Sequence, residues 1–103
     1  MDTDYSVAIA SYNGEKYIEK QIKSILNQTI PPREIIIVDD CSSDGTINII
    51  NELSKKSNIH FRIILHEVNM GYRRSFFDAI YNTTCNIIFL SDQDDIWKSN
   101  KAE

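Results

Sequence analysis

What this chain of 103 residues lacks argues against several protein classes. Its apolar runs are short, and none approaches the roughly 18 residues that span a bilayer. Lys and Arg number 11 against 15 Asp and Glu, and the net charge of −4 argues against a nucleic-acid binder, which normally carries a basic stripe. The N-terminus, Met1 to Asp4, is acidic, unlike a signal peptide. The two cysteines, Cys41 and Cys85, are therefore expected to be free thiols in a reducing compartment.

Glycine is scarce as well, and the three glycines build none of the standard glycine-rich motifs. There is no G-x-G-x-x-G and no G-x-x-x-x-G-K-[S/T], so neither dinucleotide binding nor a P-loop is supported. The G-x-S-x-G elbow of α/β-hydrolases is missing too. A function must therefore come from other polar groups.

Short apolar runs alternate with helical patterns along the whole chain. Apolar runs predict four strands, and apolar residues that recur every three to four positions predict three helices. The predicted strands are 5–10, 34–39, 61–66 and 87–90, and the predicted helices are 17–27, a second from near 43 to about 56, and a third from 71 or 72. In the third helix the pattern places four large residues on the inward face: Phe76, Phe77, Ile80 and Tyr81.

The order β-α-β-α-β-α-β predicts an α/β fold, a Rossmann-like three-layer sandwich with a mainly parallel sheet, over residues 1–103 as one domain. Four strands and three helices leave one helix layer thin, so we interpret the chain as a truncated part of a larger domain. The carboxyl ends of parallel strands share one edge, where ligands bind near the reversal of strand order. Four polar segments should therefore converge: 11–13, 39–41, 66–67 and 91–95.

The strongest chemical signal is the acidic cluster after the fourth apolar run. Asp92, Asp94 and Asp95 place three carboxylates within four residues. Carboxylates this close repel one another, and a shared cation relieves the repulsion. A divalent ion bound by one or two carboxylates keeps coordination positions open for a diphosphate. The alternative is a solvated acidic loop, although the apolar run before the cluster and Trp97 after it favour a site.

A second acidic pair, Asp39 and Asp40, ends the second apolar run. A carboxylate here can accept a hydrogen bond from a pyrimidine base or a ribose hydroxyl. It can also cap the following helix and interact with the helix dipole. Tyr12, just after the first strand, can stack on a base or pack at the sheet edge.

Two arginines, Arg73 and Arg74, fall in the first turn of the third helix, where positive charge opposes the helix dipole. Contact with a phosphate or a base and a solvated basic face both remain open. His60 and His66 are too isolated to predict a metal site. Cys41 has no base nearby in the sequence, so we interpret it as a small edge residue rather than a nucleophile.

Five segments together resemble the family 2 glycosyltransferases of the GT-A fold. They are V-A-I-A-S-Y-N-G at 7–14, I-K-S-I-L-N-Q-T at 22–29, E-I-I-I-V-D-D-C-S-S-D-G-T at 34–46, N-M-G at 69–71 and F-L-S-D-Q-D-D-I-W at 89–97. The segments cover nearly the whole chain, in the order and at the spacing of the family.

The resemblance implies a nucleotide-diphosphate-sugar donor, UDP- or dTDP-linked, and a divalent cation, Mn²⁺ or Mg²⁺. Carried over by position, Ala10 and Tyr12 would line the base pocket, with Tyr12 stacking on the base. Asp40 would accept a hydrogen bond from the uracil or thymine edge. Asp92 would lie near the ribose, and Asp94 would bind the cation that bridges the diphosphate.

A basic residue after the N-x-G segment often approaches the nucleotide in this family, which makes Arg73 and Arg74 the candidates here. The S-D-Q-D-D-I-W form is similar to that of enzymes of bacterial surface polysaccharide synthesis, rhamnosyltransferases among them. The acceptor implied is a glycan or a lipid-linked molecule. The implied location is the cytoplasm, with peripheral association at the inner face of the membrane for the full-length protein.

Members of the family are inverting enzymes whose catalytic base is a carboxylate downstream of D-x-D. The resemblance therefore implies no catalytic residue in this chain and no sugar transfer by this chain alone. An alternative function is a non-catalytic nucleotide-sugar-binding or interaction module. A receiver-like domain would need its acidic pair after the first strand, where this chain has residues 11–13.

The sheet beyond the fourth strand is predicted to lack a cover. An exposed apolar face and an unpaired strand edge favour association with a second copy. We therefore predict a possible two-fold homodimer through the uncovered region around Phe89, Ile96 and Trp97.

Overall fold

The computed structural model describes residues 4–91, in which four strands and three helices alternate strictly. The elements are β1 Tyr5–Ser11, α1 Ile18–Leu26, β2 Glu34–Asp39, α2 Thr46–Lys56, β3 His60–Leu65, α3 Tyr72–Tyr81 and β4 Ile87–Ser91. The predicted order of elements is confirmed, and the predicted ends differ by a few residues at most. None of the helices in this part of the chain is both long and apolar enough to cross a membrane.

All strands of the sheet are parallel, in the order β3-β2-β1-β4. β1 and β2 lie in the middle, and every residue of both is buried. Burial on both faces explains why β2 is continuously apolar from Ile35 to Val38 rather than alternating. From β1 the chain moves outward to β3 and then returns to the other side of β1, so the strand order reverses beside β1. Ligand sites of such sheets lie at the carboxyl edge near this reversal.

The two faces of the sheet bury different kinds of side chain. α1 and α2 cover one face with large residues, which are Ile18, Ile22, Ile25, Ile50 and Leu53. α3 covers the other face, where the buried apolar residues are Ala8, Ile36, Val38 and Ala79. This arrangement confirms the three-layer α/β fold, and the helix layer formed by α3 is the thin one.

The prediction of which residues of α3 face inward is wrong. α3 buries Ser75 and Ala79, which lie four positions apart on one side of the helix. Of the predicted residues, Phe76 is partly buried and the others are exposed, namely Phe77, Ile80 and Tyr81. The pattern counted large apolar residues as inward, but the apolar residue that α3 buries against the sheet is Ala79, in one cluster with Ala8, Ile36 and Val38.

The described part of the predicted dimer surface is Phe89, which is partly buried. Phe89 of β4 packs against the core beside Tyr5, with their ring centroids 5.1 Å apart. Ile96 and Trp97 lie outside the described residues. The homodimer through Phe89, Ile96 and Trp97 therefore stays a prediction.

Candidate functional site

A cavity of about 530 Å³ lies at the carboxyl edge of the sheet, between the ends of β1 and β2 and the start of α3. It is lined by Ala10, Ser11, Tyr12, Asp40, Asn69, Gly71, Tyr72, Ser75 and Phe76. Its volume falls in the range of small-molecule sites, roughly 300–1,000 Å³. Three predicted substrate-binding residues, Ala10, Tyr12 and Asp40, are thus brought together.

The two neighbouring carboxylates after β2 have different partners. Oδ1 of Asp39 accepts hydrogen bonds from the hydroxyls of Ser11 and Ser42, at 2.7 and 2.6 Å. Oδ2 of Asp39 accepts the backbone N–H of Ser42 at 2.9 Å. Asp39 therefore holds the loop after β2, whereas Asp40 is the member of the pair that lines the cavity.

Asp40 is held by three donors from the segment that enters α3. The backbone N–H groups of Met70 and Gly71 donate to Oδ1 and Oδ2 at 2.8 and 2.9 Å. Nδ1 of His66 lies 2.8 Å from Oδ1. Burial raises the pKa of Asp40, but the hydrogen bonds from Met70, His66 and Gly71 outweigh it, so the pKa is below its ordinary value. Asp40 is therefore an ionised acceptor at neutral pH.

His66 connects the end of β3 to α3. Its side chain is 7% exposed, and its Nε2 lies 2.8 Å from Oδ2 of Asp78. Arg74, one turn earlier in α3, donates from Nε to Oδ1 of Asp78 at 3.0 Å. The hydrogen bond with Asp40 raises the pKa of His66; burial opposes this, and the hydrogen bond with Asp78 adds to the rise. The result is a chain of four ionisable groups, Asp40, His66, Asp78 and Arg74, that runs from the cavity to the surface.

His66 was predicted to lie at this edge of the sheet, and its contact with Asp40 confirms it. The pairing of His66 with Asp78, 12 residues further along the chain in α3, was missed. His66 directly follows an apolar run, so it belongs to the same sheet edge as Asp40.

Tyr12 lies at the mouth of the cavity with 46% of its surface exposed. The next residue, Asn13, has a φ of 47° and anchors the loop after β1. Its backbone N–H donates to the hydroxyl of Ser42 at 2.8 Å, and its side-chain oxygen accepts the N–H of Ser43 at 2.8 Å. The tyrosine ring is thus presented by a fixed loop.

Arg73 and Arg74 are not among the described residues that line this cavity. Arg74 pairs with Asp78. Arg73 borders a separate hollow, together with Phe77 and other residues of α3. Ser75, which follows the arginines, is the buried residue of this turn that reaches the cavity.

Asp92 and Asp94, the predicted ribose-binding and metal-binding residues, lie outside the described residues. The last residue of β4, Ser91, pairs with Ile9 of β1. The hydroxyl of Ser91 accepts a hydrogen bond from Nε2 of Gln21 at 2.8 Å. Among residues 4–91, no group of three His, Cys, Asp or Glu side chains could hold a metal ion.

A parallel sheet with a cavity beside the reversal of strand order places this chain among the α/β domains that bind ligands at the carboxyl edge. The family model described as glycosyl transferase family 2 matches residues 6–103, and the chain belongs to this family.

Two curated relatives are similar over nearly the whole chain. The putative teichuronic acid biosynthesis glycosyltransferase TuaG of Bacillus subtilis is 38% identical over 99 residues, which cover 95% of this chain and 38% of TuaG. The dTDP-rhamnosyl transferase RfbG of Shigella flexneri is 42% identical over 102 residues, which cover 92% of this chain and 34% of RfbG. The chain thus spans less than two fifths of the length of either relative.

Solved structures confirm the GT-A fold. TarS of Staphylococcus aureus, residues 1–349 in complex with UDP, matches with a TM-score of 0.85 and 28% identity, over 94% of this chain and 29% of that one. The mannosyltransferase PcManGT of Pyrobaculum calidifontis, in complex with GDP-Man and Mn²⁺, matches with a TM-score of 0.83 over 90% of this chain and 28% of that one. PcManGT is 24% identical, so this second likeness concerns the fold alone.

Proposed function

We propose that this chain is the donor-binding part of a glycosyltransferase. The full protein would transfer a sugar from a UDP- or dTDP-linked donor to a glycan or lipid-linked acceptor, in the synthesis of a bacterial surface polysaccharide. The observation that carries the proposal is the cavity in which Tyr12 and Asp40 meet. The similarity to TuaG, RfbG and TarS supports the class of reaction.

The base would bind between the Tyr12 ring and the carboxylate of Asp40. Tyr12 would stack on the base, and Ala10 would line the pocket floor without steric hindrance. Stacking of a base on an aromatic side chain contributes about 1–3 kcal/mol. Because the loop around Asn13 is already anchored by Ser42 and Ser43, little conformational freedom is lost when the ring engages the base.

The partners of Asp40 favour a base with a single N–H at the recognised edge. An ionised carboxylate has about four acceptor positions. Met70, Gly71 and His66 occupy three of them, two on Oδ1 and one on Oδ2. The remaining position on Oδ2 suits the imide N–H of uracil or thymine. Guanine presents an N–H and an amino group side by side, and the second donor would lack an acceptor on Asp40.

The diphosphate would bind toward the end of β4. In this proposal Asp92 lies near the ribose and Asp94 binds Mn²⁺ or Mg²⁺, since a carboxylate oxygen suits a hard divalent cation. When bound, the cation offsets negative charge on the diphosphate leaving group. Arg73 and Arg74 remain candidates for the diphosphate, and Arg74 would have to leave Asp78 to reach it.

Catalysis would need groups beyond those of the described site. We propose an inverting transfer in which a carboxylate outside residues 1–103 is the general base that deprotonates the acceptor hydroxyl. The proposed location is the cytoplasm or the inner face of the membrane. Two free cysteines, Cys41 and Cys85, agree with a reducing compartment.

Calorimetric titration of UDP, dTDP and GDP into the protein, with Mn²⁺ and with EDTA, tests the proposal. UDP and dTDP should bind with Mn²⁺ and lose most of their affinity in EDTA, because carboxylates and diphosphate then repel each other. GDP should bind about tenfold more weakly or worse, since one of its donors is left unpaired.

Two variants and their controls sharpen this test. Tyr12→Ala should weaken UDP binding by about tenfold or more, whereas Tyr81→Ala, on the 80% exposed residue of α3, should leave it unchanged. Asp94→Ala should remove the effect of Mn²⁺, whereas Glu52→Ala on the surface of α2 should preserve it. Equal UDP affinity in Mn²⁺ and EDTA, or no UDP binding at all, would contradict the proposal.

A further inference from the structure

His66 lies directly behind the carboxylate that faces the cavity. Its Nδ1 is 2.8 Å from Oδ1 of Asp40 and its Nε2 is 2.8 Å from Oδ2 of Asp78. The side chains of His66 and Asp40 are 7% and 5% exposed, so solvent scarcely competes for the bond between them, whereas the side chain of Asp78 is 23% exposed.

The two contacts determine the protonation state of His66. Ionised carboxylates only accept hydrogen bonds, and a neutral imidazole has only one N–H. With a carboxylate oxygen on each ring nitrogen, both nitrogens must donate, so His66 is an imidazolium. Charges then alternate along the chain of groups: Asp40 negative, His66 positive, Asp78 negative and Arg74 positive.

Other charged groups near His66 are engaged elsewhere or exposed. From the end of β2, Asp39 directs its carboxylate to Ser11 and Ser42. From α3, Arg74 reaches His66 only through Asp78. Glu67, the next residue in the chain, is exposed. Asp40 and Asp78 therefore set the charge on His66.

We propose that His66 is a positioning residue for donor recognition: as an imidazolium clamped between Asp40 and Asp78, it fixes the open acceptor position of Asp40 toward the base and makes UDP affinity depend on pH. This inference rests on the proposed function, because it assigns His66 to the same cavity. The imidazolium also balances the charge of Asp40 beside an anionic ligand.

The direction of the pH effect follows from the protonation state of His66 that favours UDP binding, which is the imidazolium. The hydrogen bonds with Asp40 and Asp78 raise the pKa of His66 above its ordinary value, so the clamp is present below that raised pKa and is lost as the pH rises through it. A neutral His66 can donate to only one of the two carboxylates. Asp40 then loses a donor or its link to α3, and UDP affinity falls.

UDP titrations in Mn²⁺ from about pH 6 to about pH 9, above the ordinary imidazole pKa of about 6.5, test the inference. For the unaltered protein, affinity should fall about tenfold or more toward the alkaline end, the effect of one hydrogen bond to a charged group. In Asp78→Asn this fall should be small, because a neutral His66 can donate to Asp40 while it accepts a hydrogen bond from the new amide.

Two substitutions of His66 separate its two contacts. In His66→Asn the amide nitrogen stands near the position of Nδ1 and can still donate to Asp40. In His66→Gln it stands near the position of Nε2 and reaches Asp78 instead. We expect His66→Asn to retain more UDP affinity than His66→Gln, and neither to show the alkaline fall. His60→Asn, at the exposed start of β3, is the matched control and should behave like the unaltered protein.

Nitrogen NMR of the histidine rings, recorded without nucleotide, supplies a readout that is independent of binding. Both ring nitrogens of His66 should carry protons at neutral pH, and in Asp78→Asn only one should. A neutral His66 at pH 7 overturns the inference, as does UDP binding that is unaffected by pH and by His66→Gln. In either case the proposed function stands if UDP still binds with Mn²⁺. Absence of UDP binding at every pH overturns both.

Discussion

Glu34 and Asp40 are buried carboxylates at opposite ends of β2, and they hold different parts of the molecule. Glu34, the first residue of β2, accepts the hydroxyl of Ser6 and the backbone N–H of Thr84, both at 2.6 Å. It thereby joins β1, β2 and the turn before β4. Asp40, the first residue after β2, holds the segment that enters α3 and borders the cavity.

The comparison shows which property marks the ligand site. Burial raises the pKa of each carboxyl, and in each the hydrogen bonds outweigh it and lower the pKa. Burial and a lowered pKa are therefore common to both. What distinguishes Asp40 is that it borders the cavity, beside an exposed aromatic ring, Tyr12. The following four predictions test this difference.

The largest effect on ligand binding is expected from Asp40→Ala. UDP affinity in Mn²⁺ should fall about 10- to 100-fold, the effect of losing a hydrogen bond to a charged group. The N–H groups of Met70 and Gly71 also lose their acceptor, which loosens the cavity wall. Calorimetry measures the change, with Glu34→Ala as the comparison. An affinity within about twofold of the unaltered protein would refute the assignment of Asp40.

The counterpart, Glu34→Ala, should act on stability instead. Leaving the hydroxyl of Ser6 and the N–H of Thr84 without their acceptor should lower the free energy of unfolding by about 1–3 kcal/mol. Urea unfolding measures this loss, with Glu52→Ala as the control, since Glu52 is exposed and 3.9 Å from Lys55. UDP affinity should remain near that of the unaltered protein. A loss of affinity as large as that of Asp40→Ala would remove the distinction between the two carboxylates.

Acid should weaken the hydrogen bonds of both carboxylates, Glu34 and Asp40, but UDP binding should depend only on those of Asp40. A carboxyl with a lowered pKa contributes stability above its ordinary pKa, and this contribution is lost as the pH falls through the lowered value. Glu34→Gln and Asp40→Asn should each reduce the steepness of acid destabilisation, by at most about 1.4 kcal/mol per pH unit. Urea unfolding at a series of pH values measures this. The acid dependence of UDP affinity should change in Asp40→Asn and persist in Glu34→Gln.

The smallest effects are expected from the serines at the two ends of β1. Ser6 donates to Glu34 and Ser11 donates to Asp39, so either alanine substitution should cost about 0.5–1.5 kcal/mol of stability. Ser11→Ala should also weaken UDP binding slightly, because Ser11 lines the cavity. Thermal unfolding of both variants measures the loss of stability, and calorimetry measures their affinity for UDP. Equal UDP affinity in the two variants would mean that Ser11 has no part in the site.

Elements with a strong periodic signal were predictable from the sequence. The apolar run from Ile35 to Val38, ended by two aspartates, predicts a buried strand whose end carries polar groups. Parallel topology then brings Tyr12 and Asp40 to one edge. The bounds of β2 agree with the predicted 34–39.

Features that depend on close packing were not predictable. The inner face of α3 consists of Ser75 and Ala79, and Ala79 packs in the cluster with Ala8, Ile36 and Val38 of the sheet. The partnership of His66 with Asp78 depends on how α3 crosses the sheet. No spacing rule within the sequence encodes that crossing.

The anchoring of Met70 and Gly71 on Asp40 has a consequence for hydrogen exchange. Both amides belong to a segment without regular secondary structure, in which Met70 is 46% exposed. Amides in such segments usually exchange quickly with solvent, because local opening of the segment costs little free energy. Here each donates to a buried carboxylate, so these two amides should exchange slowly, at rates more typical of a strand, while their neighbours Val68 and Asn69 exchange quickly. Protonation of a single carboxyl would release both amides together.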